Sequence, residues 1–256
     1  MKLQYVTLTG ADEKTNISDL KEISKEYPFV EWAFLLSSDG KSDRARYPSL
    51  GWIANAVAEL ENSNIAIHLW GSIVGEYLYG IRNLEWFSYL IGYSDSRVQI
   101  NLPRYIDISS EAFKSTLSSF LRNKNNSYLK FILQHTEANS DSISEIFKSH
   151  EFAHINNLQI LRDCSGGRGV REDGWKTPSN LPGHVSYGFA GGIGPDTVEN
   201  DLIALNDIVG DNSTWIDMES KIRMRHGYRD GNRMIETNIL DLDACRKVLE
   251  ISKKYA

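Results

Sequence analysis

Eight short apolar runs, rich in β-branched and aromatic residues, recur along the 256-residue chain. Nearly every one is followed by a segment whose apolar positions have helical spacing. Strands need side chains that fill a pleated surface, and surface helices need one apolar stripe, so this alternation dictates α/β architecture. The predicted strands are Leu3–Thr9, Val30–Leu36, Ile65–Trp70, Arg97–Leu102, Tyr128–Gln134, Leu158–Arg162, His184–Phe189 and Thr214–Met218. Leu50, Ile53, Ala54, Val57 and Leu60 form one helical stripe, and Ala112, Phe113, Thr116, Leu117 and Phe120 another. Val198, Leu202, Leu205 and Val209 make a third, and Leu242, Cys245, Val248 and Leu249 a fourth. Asn16-Ile17-Ser18-Asp19-Leu20 reads as a helix start, and Ser142-Ile143-Ser144-Glu145 as a capping box. Pro195 suits a first helical position, where its missing N–H costs nothing. A polar loop is expected between the eighth strand and the last helix. Eight such units in about 250 residues predict a single (β/α)8 TIM-barrel domain over residues 1–256. A doubly wound open sheet is the competing arrangement.

Composition narrows the function classes. With 28 basic against 34 acidic residues the net charge is −6, a surface that repels polyanions, so no nucleic-acid partner is expected. No apolar run reaches the roughly 18 residues of a membrane span, so no membrane partner is expected either. Two cysteines make no disulfide framework, and no apolar leader precedes Asp12 and Glu13. A cytoplasmic protein is expected. The aromatic third unit, with Tyr77, Tyr79, Trp86, Phe87 and Tyr89, reads either as packing against the barrel or as a dimer face. Monomer and homodimer both stay open.

In this fold chemistry sits in the loops after the strands. Those loops carry Thr9-Gly10, Arg44 and Arg46, Asp163-Cys164, Gly191-Gly192 and Glu219, and the strands themselves carry His68, Gln99, Asn101 and Asp217. Gly191, Gly192 and Gly194 lie between the seventh strand and a helix N-terminus, and Gly166, Gly167 and Gly169 follow the sixth. Such turns bring backbone N–H groups and a helix dipole up to an anion, or simply permit tight turns. Asp163, at a strand end, suits general acid–base work or a loop hydrogen bond. Asp217 and His68 each read as a catalytic or a structural group. No zinc-ligand spacing, P-loop or dinucleotide-binding glycine pattern is present, and no metal or other cofactor is expected.

The last hundred residues resemble the phosphoribosylanthranilate isomerase family, the tryptophan-pathway barrel. The matching residues are Ile160-Leu161-Arg162-Asp163, Gly166-Gly167-Arg168-Gly169, Asp173-Gly174-Trp175 and Gly191-Gly192-Ile193-Gly194-Pro195-Asp196-Thr197-Val198. Ile216–Arg223 follows the family's V-D-V-S-S-G-V-E, with Glu219 at its first serine and Lys221 at its glycine. Gly227-Tyr228-Arg229-Asp230 is similar to its closing G-x-K-D. Looser matches are Arg46-Tyr47, Val98-Gln99-Ile100-Asn101-Leu102 and Thr7-Leu8-Thr9-Gly10.

The resemblance implies an Amadori-type aldose-to-ketose isomerisation of a phosphorylated sugar derivative without cofactor. Asp163 would be the general acid. Thr9 stands where the family has its base cysteine, which brings Glu219 and His68 forward as substitutes. Arg46 would orient a substrate carboxylate, and His68, Asn101 and Asp217 would bind substrate. Gly167, Gly169, Gly191, Gly192, Gly194 and Ser220 would hold phosphate. The alternatives are a barrel enzyme acting on a different sugar or sugar phosphate, with Glu219 or His68 as base, and a non-catalytic binding barrel.

Overall fold

The computed structural model describes residues 1–37, 45–80, 96–103, 106–163, 169–171, 174–178, 181–230 and 233–256, with the backbone alone at 226–230 and 233–236. Eight parallel strands close into a barrel in chain order. They are β1 Lys2–Thr9, β2 Val30–Ser37, β3 Asn64–Trp70, β4 Arg97–Asn101, β5 Lys130–His135, β6 Leu158–Asp163, β7 Tyr187–Ala190 and β8 Ser213–Met218. β1 pairs with both β2 and β8, so the sheet has no edge and the open-sheet alternative is excluded. Helices α1 Ile17–Glu26, α2 Leu50–Glu59, α3 Ser72–Leu78, α4 Glu111–Arg122, α5 Ser140–Lys148, α6 Val198–Val209 and α7 Leu242–Ser252 link the strands. Helix starts follow side-chain chemistry: Asn16, Ser49, Ser110 and Asp241 each accept a first-turn backbone N–H, satisfying donors the helix cannot.

Three local expectations are corrected. α6 begins at Val198, not Pro195, because the Gly194 carbonyl accepts from Thr197 N (3.0 Å) and Val198 N (2.8 Å) and turns the chain first. The capping box belongs instead to the 3-10 turn Glu137–Asn139 that precedes α5, where Asn139 Oδ1 accepts from Thr136 N at 2.7 Å; α5 starts at Ser140, and Ser142 sits inside it. The expected polar loop after β8 is an antiparallel hairpin, β9 Arg223–Asp230 and β10 Arg233–Leu240, paired from Arg233↔Asp230 to Leu240↔Arg223. Its strands are too polar to read as core. Within the aromatic third unit Tyr77 is buried and Tyr79 exposed. Trp86, Phe87 and Tyr89 lie outside the described residues.

Strand alternation divides the interior in two. Trp32, Phe34, Ile67, Leu69, Val98, Ile100, Phe131 and Ile216 point outward and form the main core with the helices. Ile132, Leu161 and Trp215, with Tyr5 and Ala190, fill the barrel itself. Gly188 on β7 faces that plug, and a methyl group there would overlap the Trp215 indole. Gly188→Ala is therefore expected to cost about 1–3 kcal/mol by overpacking. A lower urea midpoint with an unchanged m-value would check it.

Candidate active site at the barrel mouth

The inward positions of the strands climb from a charged floor to a polar mouth. At the floor, Arg97 is fully buried between the Tyr5 and Trp215 rings, its guanidinium carbon 4.5 and 4.4 Å from their centroids. It grips Glu31 in bidentate fashion, Nε to Oε2 at 2.7 Å and Nη2 to Oε1 at 2.5 Å. Nη2 also donates to Thr7 Oγ1 (3.1 Å), and Nη1 to Gln159 Oε1 (3.4 Å). The Thr7 hydroxyl donates on to Glu31 Oε1 at 2.8 Å. A buried ion pair persists only when its remaining polar atoms are satisfied, and this one is.

His68 stands above the floor on β3 and is buried. Burial pushes its imidazole down to about 4, against weaker opposing pulls from Glu31 and Glu219. It is neutral at pH 7. Unfolded histidine titrates near 6.5, so the protein gains stability from this site above that pH and loses it as pH falls towards 4. Relative to His68→Gln, the wild type is expected to lose on the order of 3 kcal/mol between pH 7 and 4. Asp217 titrates in the opposite sense, so the check is the difference between the two proteins in urea melts across that range.

The ends of β1, β5, β6 and β8 carry the carboxylates of the mouth and their hydrogen-bond donors. Ala190 on β7 pairs with Asp163 on one side and Asp217 on the other, which sets the two carboxylates at one level of the barrel. Two strand spacings separate their backbones by roughly 10 Å, and both side chains point inward. Gln134 Nε2 donates to Asp163 Oδ2 at 2.6 Å, and Thr9 Oγ1 donates to Asp217 Oδ1 at 2.8 Å. Burial raises the Asp217 carboxyl to about 7, with the Thr9 hydrogen bond and Arg97 pulling it down and Glu31 and Asp163 pushing it up. On β4, Gln99 Nε2 donates to Asn101 Oδ1 at 2.8 Å.

At the rim Arg46 and Glu219 form an ion pair. Burial raises the Glu219 carboxyl, Arg46 lowers it, and Asp217 raises it further. Arg46 has φ 74°, a left-handed conformation that costs an arginine on the order of 1–3 kcal/mol. Its N–H donates to Asp12 Oδ2 at 2.6 Å, which holds that shape. Arg223 ties the hairpin to the same corner, donating to the Gly10 carbonyl, Asp12 Oδ2 (3.3 Å) and Asn238 Oδ1 (2.6 Å). Gly10, at φ 105°, admits this: a Cβ would lie 2.8 Å from Arg223 Nη1 and 3.3 Å from Arg46 Cβ.

Thr9, Asp163, Asp217, Glu219, Arg46 and His68 thus belong to one mouth, with Asn101 beside them. Thr9, expected at the base's place, spends its proton on Asp217. The described glycines of the two turns face protein atoms rather than open space. A Cβ on Gly169 would overlap Ser220 Oγ, and one on Gly194 would overlap the Lys221 stem. One on Gly192 would lie 3.1 Å from Arg171 N and 3.2 Å from Gly169 O. Gly167 and Cys164 lie outside the described residues. Sequence reading missed Gln134, Asp12 and the Arg97–Glu31 pair. For Arg97 and Glu31 the available signal was a charge at an inward strand position. Among the described residues no group of three His, Cys, Asp or Glu side chains is placed to hold a metal ion.

The architecture and mouth define a TIM-barrel protein with ionisable side chains gathered at one end of its strands. The fold is similar to that of D-psicose 3-epimerase, solved in the presence of D-fructose, with a TM-score of 0.51 and 10% identity over 100% of this chain and 96% of that one. A xylose isomerase-like TIM barrel/4-hydroxyphenylpyruvate dioxygenase fusion protein matches at a TM-score of 0.49 and 12% identity; all of this chain covers 44% of it. No protein-family model and no curated protein matches the sequence. Among the described residues no helix is long and apolar enough to cross a membrane.

Proposed function

We propose that this barrel is a sugar isomerase that works by proton transfer between Asp217 and Asp163. The observation that carries the reading is the pair itself: two inward carboxylates at one level, one of them poised near neutrality by burial. A base is most effective when its pKa lies near the working pH, and unlike environments let two carboxyl groups divide acid and base roles. Asp217 takes the proton from the carbon beside a carbonyl, forming an enediolate, and Asp163 passes the neighbouring hydroxyl's proton to the former carbonyl oxygen. Asp217 then returns its own proton to the former carbonyl carbon. The aldose has become a ketose and both carboxyls are restored.

Thr9 acts as a positioning residue that fixes the Asp217 carboxylate, and Gln134 does the same for Asp163. The Arg46–Glu219 pair at the rim orients the far hydroxyls. The resemblance to the phosphoribosylanthranilate isomerase family supports the same chemistry in its Amadori form, with Asp163 in the acid's place and Asp217 supplying the base that Thr9 cannot. The barrel fold shared with D-psicose 3-epimerase suits this class of reaction. The test is incubation with aldoses and ketoses in D2O, followed by proton NMR. Loss of the C–H signal beside the carbonyl is expected; intact C–H signals across sugars that bind would refute the reading.

A further inference from the structure

At the described glycines of the turns that would grip a phosphate, the protein's own atoms fill the space beside the Cα, and we infer that the mouth takes a free, uncharged sugar rather than a sugar phosphate. This narrows the proton-transfer reading above and rests on it. The Lys221 stem covers Gly194, Ser220 covers Gly169, and the backbone of residues 169–171 lies against Gly192. The Gly194 N–H donates to Thr197 Oγ1 at 3.1 Å, so it is spent within the turn. Glycine lets a backbone approach an anion only where the approach is open.

The adjoining helix end is also complemented from within. The positive end of a helix dipole attracts negative charge, and the first turn of α6 already carries Glu199 and Asp201. Asp201 is buried, 2.5 Å from Arg171 Nη2, and accepts from Trp175 Nε1 at 3.1 Å.

The charge of the mouth points the same way. Asp163 Oδ1 lies 3.5 Å from the space that a side chain on Gly191 would take. Asp12, Asp163, Asp217 and Glu219 gather at this end, and the described guanidiniums there, Arg46, Arg223 and Arg171, are held on Glu219, Asp12 and Asp201. Like charges at such separations disfavour an anion strongly in a half-buried site. The neutral groups at the mouth, the amides of Gln99, Asn101 and Gln134 and the Thr9 hydroxyl, suit the hydroxyls of a sugar.

The experiment compares free aldoses and ketoses with their phosphate monoesters at equal concentration, reading C–H exchange in D2O and the shift in melting temperature. Inorganic phosphate serves as competitor. The expected result is exchange with a free sugar at least roughly tenfold faster than with its phosphate ester, and no inhibition by inorganic phosphate. Lys221→Met keeps the stem on Gly194 and removes the charge, and its exchange rates are expected to match the wild type. Faster exchange of the phosphate ester, competition by inorganic phosphate, or phosphate-ester turnover lost in Lys221→Met would overturn the inference while leaving proton transfer standing. A free sugar that raises the melting temperature but exchanges no C–H would uphold the inference and refute proton transfer. No stabilisation by any free sugar would overturn it.

Discussion

Asp217→Asn is expected to lower sugar C–H exchange by about 10²–10⁴-fold, the usual contribution of a positioned general base, with an unchanged circular-dichroism spectrum. The substitution keeps the shape of the side chain, and the Thr9 hydroxyl retains an amide oxygen to donate to, so the loss would be chemical. The pH profile sharpens this test. A base must be ionised to act, so the wild-type rate is expected to rise with pH through about 7, where burial has placed this carboxyl. The Thr9 hydroxyl favours the ionised form. Thr9→Val removes that bond and is expected to move the limb to higher pH while leaving the plateau largely intact. A merely structural threonine would lower the rate at every pH and leave the limb in place. Full exchange in Asp217→Asn, or a limb indifferent to Thr9→Val, would rule out Asp217 as the base.

The barrel was legible because its strands obey one rule: an outward side chain must meet a helix, so apolar residues recur at every second position. Ile65, Ile67 and Leu69 on β3 follow it, and His68 between them points inward as the alternation required. The hairpin was not legible, because the sequences of β9 and β10 are too polar to show that pattern. The mouth was legible by position. Asp163, Asp217 and Glu219 stand at strand ends, where this fold gathers its chemistry. Their roles were not, since a role depends on what each side chain meets across the barrel. Thr9 sits 208 positions from Asp217 in sequence and 2.8 Å from it in space. The glycine turns show the converse. Their spacing fits an anion site, and only the placement of Lys221, Ser220 and Arg171 reveals that the spaces are filled.

The Arg97–Glu31 pair gives the second large effect, on stability. Arg97→Met would leave the Glu31 carboxylate buried with its main partner gone, and breaking such a pair costs about 3–5 kcal/mol. Removing both charges in Arg97→Met/Glu31→Leu abolishes the uncompensated charge, and most of that loss is expected to be recovered, as read from urea midpoints. The coupling between the two substitutions, rather than either value alone, is the decisive quantity. The catalytic limb provides an independent readout, because Arg97 pulls the Asp217 carboxyl down and Glu31 pushes it up. In Arg97→Met the limb is expected to move to higher pH; in the double variant the two influences vanish together and the limb returns towards about 7. A double variant as unstable as the single one would mean that Arg97 acts mainly by packing between Tyr5 and Trp215. A recovered double variant with a normal limb would mean that the ion pair is a dispensable floor. The mouth above it could then be re-engineered without disturbing the barrel.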